Sequence, residues 1–145
     1  MAIEIEYKFL VNREKWSALS KPEGSLIVQA YIHNSKEVTV RVRIKGTSAY
    51  LTIKGQTIGV SRSEFEYEIS ISDAEEMIEQ FSTKHIRKYR YEISMGKHTW
   101  EVDVFEGKLE GLILAEIELN AEDEVFEKPD WITEEVSTDE SYYNA

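Results

Sequence analysis

The chain has 145 residues, 41% of them hydrophobic and 31% charged, with no cysteine and a net charge of −11. That length suits one domain with one core, the apolar content excludes wholesale disorder, and no stretch approaches the roughly 20 apolar residues of a membrane-spanning helix. Without cysteine there are no disulfides, zinc–thiolate or iron–sulfur sites and no thiol nucleophile, and the negative charge argues against general nucleic-acid binding.

Taken in chain order, the dominant signal is strict alternation of apolar and charged residues, the period-2 mark of a β-strand with two different faces. Residues 3–9 (Ile-Glu-Ile-Glu-Tyr-Lys-Phe) are the first such segment. Residues 12–19 read as a short helix showing Trp16 and Leu19, and residues 26–33 as a less regular strand. Residues 38–45 (Val-Thr-Val-Arg-Val-Arg-Ile-Lys) turn through Gly46-Thr47-Ser48 into a strand over 50–54. A strand over 64–69 is followed by Ser72-Asp73-Ala74-Glu75, a capping box that predicts a helix with Ala74, Met77, Ile78 and Phe81 on one face. Strands over 86–93 and 100–104 flank a turn at Gly96-Lys97, a further strand covers 115–119, and 129–136 is a candidate third helix. The expectation is a single domain over 1–145, α+β but mainly β, with eight antiparallel strands and two or three short helices. Residues 120–145 carry −8 of the net charge and read as a solvated acidic tail. No basic-then-apolar leader opens the sequence, and the expected location is cytoplasmic.

The polar faces of these strands hold Glu4, Glu6 and Lys8; Arg41 and Arg43; Lys54; Glu64, Glu66 and Glu68; Lys88 and Arg90; Glu101 and Asp103; and Glu116 and Glu118. A solvated sheet face gives such alternation routinely. It accounts poorly for Glu-x-Glu in three strands, Glu-x-Asp in a fourth and Arg-x-Arg in a fifth, because glutamate is disfavoured in strands and like charges on neighbouring strands repel. Clustering makes sense if something neutralises it. Paired carboxylates suit a hard divalent cation, and strand-borne arginines and lysines suit phosphate oxygens. Eight strands close into a barrel that holds side chains or one small ligand. The charged faces then line the lumen, and the apolar faces lie outside under the helices. Buried charges without partners are prohibitive, so such a lumen is wet and filled by salt bridges, metal ions and a highly charged ligand. A polyphosphate with bound metal satisfies both charge sets.

These residues resemble the CYTH superfamily, the triphosphate tunnel metalloenzymes. Glu4-Ile5-Glu6-Tyr7-Lys8 is similar to the family signature Glu-x-Glu-x-Lys, and the likeness continues in order through Val40-Arg41-Val42-Arg43, Leu51-Thr52-Ile53-Lys54-Gly55, Arg62-Ser63-Glu64-Phe65-Glu66-Tyr67-Glu68 and Lys88-Tyr89-Arg90-Tyr91. It ends with Trp100-Glu101-Val102-Asp103-Val104-Phe105 and Ala115-Glu116-Ile117-Glu118-Leu119. The resemblance implies an eight-stranded antiparallel tunnel open to solvent that cleaves triphosphates with Mg²⁺ or Mn²⁺. It implies Glu4, Glu6, Glu116 and Glu118 as metal ligands and Lys8, Arg41, Arg43, Lys54, Lys88 and Arg90 as phosphate-binding residues. Glu64, Glu66, Glu101 and Asp103 would hold a second metal or orient the basic residues. Two positions depart from the family pattern. Ser141 precedes Tyr142-Tyr143-Asn144 where a basic residue is usual, which argues against the C-terminal plug of other members, and Ala30 stands before Tyr31 where glycine is common.

The reaction expected is metal-dependent hydrolysis of a terminal phosphoanhydride, in which positioning and charge stabilisation do most of the work. A lysine crowded by other cations has a lowered pKa, so Lys8 or Lys88 is a candidate base, with Glu64 as the rival. No segment suggests recognition of a nucleobase or a thiazolium ring, which favours inorganic tripolyphosphate as a small-molecule substrate. Nucleoside or thiamine triphosphate hydrolysis, class IV adenylyl cyclase activity and non-catalytic polyphosphate or nucleotide binding are the alternatives. Neither a nucleic acid nor a membrane is expected as partner, and monomer and homodimer are both open. His33, His85 and His98 sit on separate segments without ligand spacing and read as ordinary surface or lumen residues.

Overall fold

The computed structural model describes residues 2–82 and 84–145. Among them are nine strands and two α-helices: β1 (Ile3–Val11), α1 (Arg13–Ala18), β2 (Ser25–Asn34), β3 (Val38–Lys45), β4 (Ser48–Gly55), β5 (Ser61–Ile69), α2 (Ile71–Phe81), β6 (Lys84–Met95), β7 (His98–Phe105), β8 (Ile113–Glu118) and β9 (Ile132–Glu135). The eight expected strands are present. They pair antiparallel in the order β5-β4-β3-β2-β6-β7-β8-β1, and β1 returns to β5 through Ile3↔Ser63, Glu4↔Arg62 and Ile5↔Ser61. Those three pairs close the barrel. Beyond them β1 leaves β5 and takes β9 instead, at Phe9↔Glu135 and Val11↔Ile132.

Local chemistry sets the joints. Gly46 (φ 60°) and Gly96 (φ 61°) occupy the first position of the two-residue turns joining β3 to β4 and β6 to β7, where a positive φ matches the strand twist. Between Tyr31 and His33 the register of β2 on β3 shifts by one residue, which explains the irregular pattern over 26–33. Helix α2 begins one turn-step earlier than its capping box suggests: Ser70, not Ser72, is the N-cap and accepts from the Asp73 amide. Ala74, Met77 and Ile78 pack on Val42, Ile44, Ala49 and Leu51 of the outer wall, while Phe81 at the helix end stays 54% exposed.

Three expectations about the C-terminal part are overturned. Residues 129–136 do not form a helix; Ile132–Glu135 is strand β9, drawn into the sheet by the free edge of β1. The acidic segment is not a solvated tail either. It lays Phe126 and Trp131 over the outer faces of β1, β7 and β8, where Trp100 meets Phe126 and Trp131 edge-on, each with ring centroids 5.8 Å apart. Trp131 also meets Trp16 of α1 at 5.7 Å. Its carboxylates remain at the surface, while its apolar residues supply cover that two short helices do not.

The segment then closes one end of the barrel, as the C-terminal plug that the Ser141 departure argues against. The Val136 amide donates to the Lys8 carbonyl (2.8 Å), and the Lys8 amide donates to Ser137 Oγ (3.0 Å). Inward positions at this end are apolar: Leu10, Tyr31, Ile86, Phe105 and Leu114 share strand faces with the ionic residues and pack with Val136, Tyr142 and Ala145. The lumen is therefore charged over part of its length and ends on an apolar floor, rather than running open from mouth to mouth. Among the described residues no helix is long and apolar enough to cross a membrane.

Candidate active site

Alternation along the strands turns the ionic side chains inward around a cavity of about 170 Å³. Glu4, Glu6, Lys8, Arg41, Arg43, Lys54, Glu64, Glu66, Arg90, Glu101, Glu116 and Glu118 all line it, joined by Arg62 and by Tyr143 and Ala145 of the C-terminal segment. Of the residues singled out from sequence, Lys88 and Asp103 stand deeper, fully buried in the wall. Glu68 lies exposed near the rim of β5.

On the β1–β5 side the acids are interleaved with bases. Lys54 Nζ donates to both oxygens of Glu4 (3.1 and 3.2 Å) and stands 3.2 Å from Glu64, while Arg62 Nε reaches Glu4 at 3.3 Å. Burial alone would raise the Glu4 pKa, but the Lys54 and Arg62 charges override it and hold it at about 2. Glu6 behaves oppositely. Burial and the neighbouring Glu116 and Glu4 carboxylates push it well above the ordinary range, although Lys8 lies 3.7 Å away. Lys8 is held above its usual value because Glu116 and Glu6 outweigh burial. Its ammonium also donates to the Tyr142 and Tyr143 carbonyls (3.3 and 3.5 Å).

On the β6–β7 side Asp103 is the hub. Lys88 Nζ lies 2.7 Å from it, and Arg90 grips it bidentately at 2.8 and 2.9 Å while reaching Glu101 at 3.1 Å. Those bonds occupy the Asp103 oxygens, so as placed it orients two cations. Burial drives the Lys88 pKa down, and Arg43 and Arg90 add to the effect. Asp103 opposes it, and the result is about 7. On β2–β4 Arg41 Nη2 donates to Thr52 Oγ1 (3.3 Å) and lies 3.8 Å from Glu66, leaving its buried Nε without a hydrogen-bond partner. Arg43 donates to Gln29 Oε1 through both Nε (2.9 Å) and Nη2 (2.7 Å).

The donor chemistry fits a hard divalent ion. Glu4, Glu6, Glu116 and Glu118 offer oxygen alone, and the crowding by Glu116 and Glu4 that raises the Glu6 pKa is a conflict that a cation would relieve. The carboxylates are not drawn together into a ready-made cage: among the described residues no three Asp, Glu or His side chains form one, since Glu4 turns to Lys54 and Arg62. Mg²⁺ is typically held in this sparse way, by one or two carboxylates with water and substrate phosphates completing its shell.

Sequence reasoning missed Tyr143 and Ala145, which reach the cavity only because the C-terminal segment folds back, and three residues on the strands. Arg62 shares the parity of Glu64 and Glu66, so alternation marks it as inward. Gln29 and Thr52 share inward parity too, but neutral side chains give no charge signal, and their roles appear only with their partners.

Comparison with known proteins follows the same lines. The chain is 47% identical over 146 residues to the inorganic triphosphatase of Acetivibrio thermocellus, covering all of this chain and 92% of that protein. It is 33% identical over 149 residues to the inorganic triphosphatase of Nitrosomonas europaea, covering 97% and 93%. The crystal structure of an inorganic triphosphatase matches with a TM-score of 0.67 at 30% identity, over 99% of this chain and 93% of that one. The CYTH domain model matches residues 2–144, and with it the barrel, its ionic lumen and these relatives place the chain in the CYTH family.

Proposed function

We propose that this chain is a divalent-metal-dependent inorganic triphosphatase that removes the terminal phosphate of tripolyphosphate. The observation that carries this reading is the lumen itself: cations and carboxylates alternate around a small polar cavity, and Arg41 Nε, a buried donor without a partner, lies in its wall. A linear polyanion with a metal ion supplies acceptors for the one set and positive charge for the other.

In this reading Arg41, Arg43, Lys54 and Arg90 hold the phosphate chain and Lys8, kept protonated by its acidic neighbours, anchors one end. Triphosphate tunnel enzymes of this family are metal-dependent. Glu4, Glu6, Glu116 and Glu118 would hold Mg²⁺ or Mn²⁺, which when bound neutralises charge on the phosphate oxygens. Glu64, Glu66 and Glu101 keep the basic residues oriented, as Asp103 does from the wall. Lys88, with a pKa near neutrality, takes the proton of the attacking water. The water oxygen bonds to the terminal phosphorus, the bond to the bridging oxygen breaks, and diphosphate and orthophosphate leave. One catalytic domain over 1–145, a cytoplasmic location, and a free small-molecule substrate with neither nucleic acid nor membrane as partner belong to the same reading.

The test is phosphate release from tripolyphosphate, ATP, thiamine triphosphate and pyrophosphate, each with Mg²⁺, Mn²⁺ or EDTA. Tripolyphosphate is expected to be the best substrate and EDTA to abolish turnover. Glu4→Gln and Arg41→Ala should each lose activity while keeping the native circular-dichroism spectrum. Full activity in both variants, or binding of tripolyphosphate without release, overturns the proposal.

A further inference from the structure

We infer that Gln29 is a positioning residue: it fixes Arg43 through a neutral amide, so that Arg43 meets the substrate with no protein carboxylate in direct contact with its guanidinium. This deepens the triphosphatase reading and rests on it.

The two residues face each other directly across β2 and β3. Gln29 is fully buried, and its Oε1 accepts from both Nε and Nη2 of Arg43. Its own amide is fixed in turn, with Nε2 donating to the Tyr31 hydroxyl at 3.3 Å. Both ends of the glutamine are therefore committed, and the rotamer has no freedom. A guanidinium carries five N–H donors. Two are spent on Gln29, and the Nη1 group is left for another acceptor.

What sets Arg43 apart is its partner. Among the described residues every other basic side chain at this site (Lys8, Arg41, Lys54, Arg62, Lys88 and Arg90) has a carboxylate oxygen between 2.7 and 3.8 Å away. Arg43 makes no such pair. Burial lowers its pKa to about 10, with the Arg41 and Arg90 charges adding to the effect and Asp103, beyond contact distance, opposing it. A buried arginine normally takes a carboxylate, because an unpaired charge in such a place is costly. Here a neutral acceptor occupies that position. A carboxylate at residue 29 would grip Arg43 as firmly but spend its charge inside the protein, leaving a substrate phosphate to compete with a resident anion. The amide supplies the geometry without the competition.

The experiment is steady-state kinetics on tripolyphosphate for wild type, Gln29→Glu, Gln29→Met, Arg43→Ala and the two double variants, with thermal melts confirming the fold. Gln29→Glu should raise KM roughly ten- to a hundredfold, the size expected when a charged hydrogen bond is lost, and should change kcat far less. Gln29→Met, which removes the acceptor at similar length, should also raise KM, and serves alone if Gln29→Glu does not fold. In the Arg43→Ala background neither substitution should raise KM further, because both act through Arg43. An unchanged KM in the folded Gln29 variants, or an equal increase with Arg43 absent, overturns the inference. A wild-type protein that releases no phosphate, or Arg43→Ala with wild-type KM, sinks the underlying functional reading instead, so the two failures are distinct.

Discussion

Glu6 and Glu116, on the adjacent strands β1 and β8, are pushed in opposite directions by one another: the Glu116 charge helps raise the Glu6 pKa, and Glu6 helps hold Glu116 down. Burial and two neighbouring carboxylates raise Glu6 well above the ordinary range. Burial works against Glu116 as well, yet Lys8, Glu6, Arg90 and Lys88 hold it well below. The pair is a charge conflict inside the protein, and a divalent cation would relieve it.

Glu6→Gln tests that conflict. The variant removes a carboxyl whose folded pKa is raised. Stability from such a group is present at acid pH and lost as pH rises through the raised value, so the variant should flatten the fall in Tm as pH rises above the unfolded value of 4.5. In wild type, Mn²⁺ at about 100 times its Kd should stabilise by about 2.7 kcal/mol, which is roughly 5–10 °C for a chain of this size. The variant should show no metal shift and should lose turnover. Melting curves with and without Mn²⁺ across that pH range measure both.

As the proposed base, Lys88 should set the pH profile. With a pKa of about 7 in the free protein, its neutral form gains population through neutrality, so kcat/KM for tripolyphosphate should rise with pH and level off above about 8. Lys88→Arg puts a guanidinium that stays charged in its place, and should cost about 10²–10⁴ in kcat with no recovery at high pH. Initial rates between pH 6 and 9 decide the matter.

Arg62 stabilises the ionised form of Glu4 together with Lys54. A carboxyl held at about 2 contributes stability that is present above the unfolded value of 4.5 and lost as pH falls toward 2. Arg62→Ala removes one of the two cations, so the Glu4 pKa rises and that contribution shrinks. The acid-unfolding midpoint, followed by tryptophan fluorescence, should move to higher pH. Lys54→Met should move it further, since Lys54 is the stronger of the two influences.

Trp131 makes the C-terminal segment structural. It is buried between Trp16 and Trp100, so Trp131→Ala should cost about 3–5 kcal/mol, read as a lower urea midpoint. The protein that remains folded at 25 °C should keep its kcat and KM within twofold, because the indole lies outside the barrel wall. Deleting residues 129–145 removes Trp131, Val136 and Ser137 together and should prevent folding altogether.

The eight barrel strands, helix α2 and the inward direction of Glu4, Arg41, Lys88 and Glu116 were legible in the sequence, because alternation is a local property: it states which side of its own strand a residue occupies. Membership of a shared ionic lumen followed from the repetition of that pattern. Local pattern is silent about neighbours, and neighbours decided the rest. Three residue pairs between β1 and β5 close the barrel, and the remaining edge of β1 recruits 132–135 as a strand although their local pattern suited a helix. The same inward parity that carries Lys88 and Glu116 carries Ile86 and Leu114 one step further on, so only the assembled barrel shows where charge gives way to an apolar floor. Likewise Arg41 and Arg43 read alike as sequence. Cross-strand pairing set the first beside Thr52 and near Glu66 and the second against Gln29, and so left one guanidinium near a carboxylate and the other without one.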